Sequence, residues 1–345
     1  MNNSMDRSRS LAGFYSHVFR YDSVIAAVIC PESLIVRMPQ FKLRTLFILT
    51  TMSAVFFASF GVWTLKAFRQ RDAIAALRSC GANVIYEHWG DCSNLNPVAA
   101  KNETMRRLLG DDYFHGLAVV ELRGIHVTKS IAETVSQFEQ FQYLDLLGST
   151  CDSEAWAVLL KRNDIKKLRI NSDAIDSFEF ADLRSFPKLE ELTVECSTVS
   201  RSEIDEISML ANLLELSVYS TATRKCFEPL SALKKLERLT LHCNNCSDNN
   251  LSFLSSLSNL KELDIESDSL TDDALQYVAS CKNAERLCYD CNLMTVNGFQ
   301  EIIIDNATNF PNLYTAVLFR WVSNPDGSST QQRIAEYDGY TKLDR

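Results

Sequence analysis

The sequence predicts an α/β solenoid, a right-handed horseshoe with parallel strands on its concave face and short helices outside, joined to one N-terminal transmembrane helix. Three observations carry this reading. From Leu117 onward the pattern apolar-x-x-apolar-x-apolar returns at nearly constant spacing, and within each unit the apolar period changes from two residues to three. A single long uncharged run precedes the repeats.

In chain order, residues 1–44 form an N-terminal tail whose second apolar patch, Val24–Cys30, is too short to cross a bilayer. Met38 stands directly before the long apolar run and is the expected true start of translation. Residues 45–65, TLFILTTMSAVFFASFGVWTL, contain no charge. As a helix rising about 1.5 Å per residue they reach roughly 30 Å, the thickness of a bilayer core. Arg37, Lys42 and Arg44 lie on one side of the run and Lys66, Arg69, Arg71 and Arg78 on the other, with Trp63 near an end where an interfacial aromatic anchors. The run exceeds the usual signal-peptide apolar length of about 7–15 residues and lacks an A-x-A cleavage site, so a retained single-pass anchor is expected. The basic flanks are nearly balanced, and their small excess leans the solenoid toward the cytoplasm.

Residues 66–116 read as tether and N-terminal cap. RQRDAIAALRSCG is an amphipathic helix stopped by Gly81, NVIYE is a first atypical strand, and RRLLGDDYF leads from Arg106 into the repeats. Residues 117–322 hold eight or nine units of about 24 residues, opening at Leu117, Phe141, Ile165, Leu189, Leu213, Leu236, Leu260, Ala284 and Leu313. Apolar residues at offsets 0, 3 and 5 suit a short strand with alternate side chains in a shared core. Offsets 15 and 18 hold Ile204 with Ile207, Leu251 with Leu254, Leu275 with Val278 and Phe299 with Ile302, one face of a short helix. Offset 7 is small, as at Gly124, Gly148 and Cys196, and offset 8 is short and polar, as at Asp173, Thr221 and Asn292. Both suit a tight turn. Residues 323–345, rich in Ser, Asn, Asp and Gln at their start, read as a polar C-terminal tail.

This register resembles the leucine-rich-repeat family, and TDDALQYVASCKNAERL from Thr271 is closest to its ribonuclease-inhibitor-like branch. The anchor, helix, strand and LLGDDYF entry together are similar to a class of bacterial membrane-anchored leucine-rich-repeat proteins, a likeness that implies no common activity.

Charge and motifs narrow the function. Residues before Leu117 carry 13 Lys and Arg against 9 Asp and Glu, and those from Leu117 onward carry 22 against 35. An acidic solenoid lacks the basic stripe that nucleic acid requires, so no nucleic-acid partner is expected. Cys243-x-x-Cys246 with Cys288-x-x-Cys291 imitates a zinc signature, but the register puts Cys243 and Cys291 in the small-residue column and the pairs two repeats apart. His242 and Cys243 alternate across one strand and cannot act as a pair. No cofactor and no metal are expected.

The strand positions at offsets 2, 4 and 6 should line the concave face. The candidate partner-binding residues there are Tyr143, Arg169, Glu191, Glu195, Glu215, Tyr219, Arg238, His242, Glu262, Asp264 and Glu266. Acidic positions suit a basic patch on a protein partner, and the tyrosines supply anchoring area. Glu262, Asp264 and Glu266 sit about 6–7 Å apart along one strand face, near the carboxylate separation of glycoside hydrolysis, but a flat ladder implies no deep cleft. The sequence therefore reads as a membrane-anchored, non-enzymatic protein-interaction module. The alternatives are a structural envelope component without a discrete partner and, less favoured, a hydrolase using the acidic face.

Overall fold

The computed structural model describes residues 43–86, 117–138, 141–223, 227–244, 246–323 and 329–338. The expected start at Met38, the patch Val24–Cys30 and the RRLLGDDYF entry lie outside these residues. The chain divides into two units, Met1–Gly61 and Val62–Arg345.

The first unit is described from Leu43 as part of helix α1, Leu43–Ser79. Its apolar side chains project outward, with Phe47, Met52, Phe56 and Phe57 all more than 60% exposed. Thr51 turns its hydroxyl back onto the Phe47 carbonyl, so the helix satisfies this polar group internally. Among the described residues this is a helix long and apolar enough to cross a membrane, with mean hydropathy 1.6 over its apolar window. The run expected to span and the helix expected to cap are continuous, because no Gly or Pro interrupts the stretch from Val62 to Ser79.

The second unit opens on the last turns of α1, where Ala73, Ile74 and Leu77 join the core. Gly81, at φ 92°, takes the left-handed conformation that ends the helix. The amides of Gly81 and Ala82 then return to the carbonyls of Arg78 and Leu77, a Schellman closure. Strand β1, Asn83–Tyr86, pairs antiparallel with β2, Leu117–Glu121.

From β2 the repeats build one ladder. After the two-residue strand β3, His126–Val127, and helix α2, Lys129–Ser136, come β4, Tyr143–Asp145; β5, Thr150–Cys151; helix α3, Ser153–Leu159; and β6, Lys167–Asn171. Then follow β7, Glu191–Val199; helix α4, Arg201–Ser208; β8, Glu215–Thr223; β9, Arg238–Cys243; and β10, Glu262–Glu266. Helix α5, Leu275–Val278, β11, Arg286–Asp290, helix α6, Val296–Phe299, and β12, Thr315–Ser323, complete the repeats. With a last strand β13, Ser329–Asp338, the main sheet runs in the order β1-β2-β4-β6-β7-β8-β9-β10-β11-β12-β13, and β3 pairs with β5 in a small second sheet. From β2 to β12 every neighbouring pair is parallel, and residues pair with their counterparts one unit on, as Leu192 with Leu216 and Leu239 with Leu263. This is an α/β solenoid.

Parallel strands need buried faces, and the repeat provides one. Leu144, Leu168, Leu192, Leu216, Leu239, Leu263 and Leu287 are each at most 1% exposed and belong to one core that continues from Ala73 to Leu318. The opposite wall is not uniformly α-helical. Ile204 and Ile207 are buried from α4, but Leu251 and Leu254 come from a 3-10 stretch, Asp248–Ser256. After α6 a π-turn, Gln300–Ile304, adds a residue, so Ile303 rather than Ile302 is buried with Phe299. That shift belongs to the one unit that is five residues longer than 24.

Side chains also stitch successive units. Asp248 accepts from the Thr271 amide and hydroxyl at 2.9 Å, and Asp272 repeats the arrangement with Thr295 at 2.7 and 2.6 Å. Asn212, Asn259 and Asn283 each donate to a carbonyl of the preceding unit, those of Pro187, Lys234 and Ser258. The offset-8 side chains join the same system: Asp173 accepts from Ser197, Thr221 donates to the Ser197 carbonyl, and Asn292 donates to Asp268.

The polar tail expected from Ser323 is in part a strand. Residues Ser329–Asp338 form β13, which pairs antiparallel with β12 and covers the open edge of the ladder. Ile334, Ala335 and Tyr337 pack against the core, with Ile334 at a bulge in the pairing, while the first half of the strand is polar and exposed.

Candidate binding face of the strand ladder

Because pairing is in register, offsets 2, 4 and 6 form three rows across the sheet, with neighbouring strands about 4.8 Å apart. Nearly all these positions are half-buried rather than fully exposed. Side chains lie along the face and meet their neighbours from adjacent units.

The offset-2 row neutralises itself. Lys167 Nζ lies 2.9 Å from Glu191 Oε1. Arg238 donates through Nε to Glu215 at 2.6 Å and sits 3.8 Å from Glu191, while Arg286 lies 3.8 Å from Glu262. Burial works against the Arg238 charge, but Glu215 and then Glu191 and Glu262 raise its pKa on balance. Four of the candidate residues, Glu191, Glu215, Arg238 and Glu262, are therefore partners of each other or of a neighbouring base.

At the N-terminal end of the face Asp145 occupies offset 4, one of the positions expected to line the concave surface. Its side chain is fully buried. Oδ2 accepts from Arg123 Nε at 2.8 Å and Nη2 at 2.5 Å, from Arg169 Nη1 at 3.3 Å and from the Tyr143 hydroxyl at 3.2 Å, while Oδ1 accepts from the Leu147 amide at 3.0 Å. A carboxylate can be buried when charge-assisted bonds replace its water. Tyr143 is thereby fixed, and burial pushes its phenol pKa up. Arg123 occupies offset 6 of the first unit, the column of Glu195 and Tyr219. That column is the sequence signal by which it was available, although the candidate residues started only with the second unit.

In the middle of the face Tyr219 and His242 meet edge to face, with ring centroids 4.6 Å apart, and His242 Nδ1 lies 2.8 Å from Glu266 Oε2. Burial, followed by the Asp264 charge, raises the Tyr219 pKa. Glu195, one strand from Tyr219, has no ion-pair partner among the described residues. The small polar side chains Thr193, Ser217 and Thr240 line the offset-4 row between these groups.

Acidic groups gather at the C-terminal end. Asp264, Glu266 and Asp290 project from the paired strands β10 and β11, with Cys288 beside them. Burial raises the Glu266 pKa above the ordinary carboxylate range; His242 opposes that shift, and Asp290, Asp264 and Asp268 add to it. Glu262, Asp264 and Glu266 do not act as one group, because Glu262 faces Arg286 and Glu266 faces His242. A cavity of about 420 Å³ lies elsewhere, lined by turn and helix residues including Asp173, Phe178, Glu179 and Glu206.

The C-x-x-C cysteines take their repeat positions. Cys243, Cys246 and Cys291 are buried and Cys288 is half-buried. Burial pushes the pKa of Cys288 and of Cys291 up to about 12, opposite to the shift a nucleophile needs. Among the described residues no group of three or more His, Cys, Asp or Glu side chains is arranged to hold a metal ion.

No family model matches the chain, and no curated protein matches it. Among solved structures it is similar to internalin C2 of Listeria monocytogenes, at 17% identity and TM-score 0.40 over 59% of this chain and 80% of that one. The internalin InlF of the same organism matches at 13% identity and TM-score 0.28, over 61% and 78% of the two chains. A complex of TLR13 with the RNA ssRNA13 matches at 18% identity and TM-score 0.39, over 59% of this chain and 32% of that one. The repeat architecture rests on this chain's own register.

Proposed function

We propose that the chain is a membrane-anchored, non-enzymatic interaction module that binds a protein partner through the concave face of its strand ladder. The observation that carries the reading is the polar and aromatic surface of Glu195, Tyr219, Arg238 and His242 on three adjacent strands, in which the rings of Tyr219 and His242 touch and Arg238 and His242 are held by ion pairs. Such a surface has little side-chain freedom left to lose on association, which lowers the cost of binding. Tyr143 and Arg169, fixed around Asp145, extend it toward the N-terminal end. The acidic balance of the solenoid disfavours nucleic acid. The outward-facing apolar half of α1, flanked by basic residues, supports single-pass anchoring, with the solenoid on the cytoplasmic side.

Proximity labelling with the full chain in its own membrane tests the reading. The triple variant Glu195→Ala, Tyr219→Ala, Arg238→Ala should lose a partner that the unaltered chain captures. Capture of the same set by both chains would overturn binding through this face.

A further inference from the structure

Among the described residues, carboxylates outnumber the bases paired with them at the C-terminal end of the face. Glu266 and Asp290 pair in register across β10 and β11, about 4.8 Å apart, and Asp264 lies roughly 6–7 Å from Glu266 along its own strand. Of the described basic side chains nearby, His242 is engaged with Glu266, Arg286 is turned toward Glu262, and Arg333 holds Glu336 and the Phe319 ring. A second, independent feature marks the spot. Asp290 is only 6% exposed; Gln331 donates to its Oδ2 at 2.6 Å, yet its buried Oδ1 has no hydrogen-bond partner among the described residues. Asp145, the other buried carboxylate of the face, receives two guanidinium groups, whereas Asp290 receives one neutral amide. A buried carboxylate oxygen left without a donor is a demand that a cationic donor would meet.

We propose that this end of the ladder is a subsite for an arginine side chain of the protein partner, with Asp264 and Glu266 as its exposed rim and Asp290 as its floor. The subsite rests on the reading of the face as a docking surface and adds the chemistry of one anchor. Arginine is favoured over a point charge because its planar guanidinium carries several donors and can address carboxylates on adjacent strands together. The carboxylates do not converge as metal coordination requires. Burial raises the Glu266 pKa and the neighbouring carboxylates add to it, and an arriving cation would relieve this second contribution. The two ends of the face are then opposite in character, two guanidiniums about one carboxylate at Asp145 and three carboxylates with one imidazole here. An extended partner segment would be read in one direction only.

The test uses a rhodamine-labelled Gly-Arg-Gly peptide and its citrulline counterpart, the latter equal in shape but uncharged, titrated by fluorescence anisotropy with the full chain in detergent. The arginine peptide should bind saturably, at least about tenfold more tightly than the citrulline peptide, and more weakly as salt is added. Asp290→Asn keeps the acceptor for Gln331 and removes the charge; Glu266→Gln does the same on the rim. Each should weaken binding of the arginine peptide about tenfold or more while the thermal midpoint stays level or rises, because like-charge repulsion is relieved. A merely structural role for these carboxylates predicts a lower midpoint instead. Equal binding of both peptides, no saturable binding, or unchanged binding in both variants overturns the subsite. If the subsite fails while partner capture still depends on Glu195, Tyr219 and Arg238, the docking face stands without it.

Discussion

Two buried carboxylates at opposite ends of one face are treated differently by their surroundings. Asp145 holds Arg123, Arg169 and Tyr143 in place, so Asp145→Ala should destabilise the solenoid by about 1–3 kcal/mol, read from the urea midpoint; both arginines are partly exposed and recover some solvation, which keeps the loss below that of a fully buried pair. Glu266 is raised by burial and by its acidic neighbours against the pull of His242. A carboxyl with a raised folded-state pKa favours the folded chain most at low pH, where it is protonated in both states, and that contribution fades as pH rises through the raised value. Urea midpoints measured from the ordinary carboxylate range upward should therefore fall less steeply in Glu266→Gln than in the unaltered chain. An identical slope in the two would show that Glu266 is not the group responsible.

At the scale of the element, the repeat is held by two kinds of contact that the sequence displays with unequal clarity. Leucine columns are visible because burial enforces one apolar residue at a fixed offset; replacing Leu239 by Ala should cost about 2–5 kcal/mol of stability in chemical denaturation. The Asp-to-Thr stitches are harder to see because they join residues 23 apart and depend on a cap. Thr295 accepts from the Gly298 amide at 3.0 Å while its hydroxyl donates to Asp272. Asp272→Ala should thus loosen α6 specifically, and amide exchange in Val296–Phe299 should speed up more than exchange in α4. The closing strand was illegible for a physical reason. β13 contributes Ile334, Ala335 and Tyr337 to the core edge but repeats nothing, and the polar residues around it read as a tail. Truncation after Ser323 removes that cover, exposes the β12 edge, and should convert the chain to a larger species in light scattering in detergent.

For the whole molecule, a register that repeats eight or nine times is legible because its signal adds from unit to unit, and the ladder follows from it. The candidate face is less legible. Tyr219 and His242 on adjacent strands could be anticipated from their shared offset, whereas the burial of Asp145 and Asp290 depends on what covers each end of the sheet. The cysteines give a check on the fold as a unit. Cys80 is exposed, and Cys151, Cys243, Cys281 and Cys291 are buried. An uncharged alkylating reagent should therefore modify Cys80 before these four, which it should reach only on unfolding, in one cooperative step.

Both ends of the ladder are closed by strands that run against it, β1 before the first unit and β13 after the last. A further unit added at either end would meet an antiparallel strand instead of the edge of a repeat. A lineage, or an engineer, can lengthen the binding face in phase by inserting whole units between them. A 24-residue duplication placed between Leu260 and Ala284 would keep the leucine columns and turn stitches in phase, and would widen the surface by one strand without altering either stop.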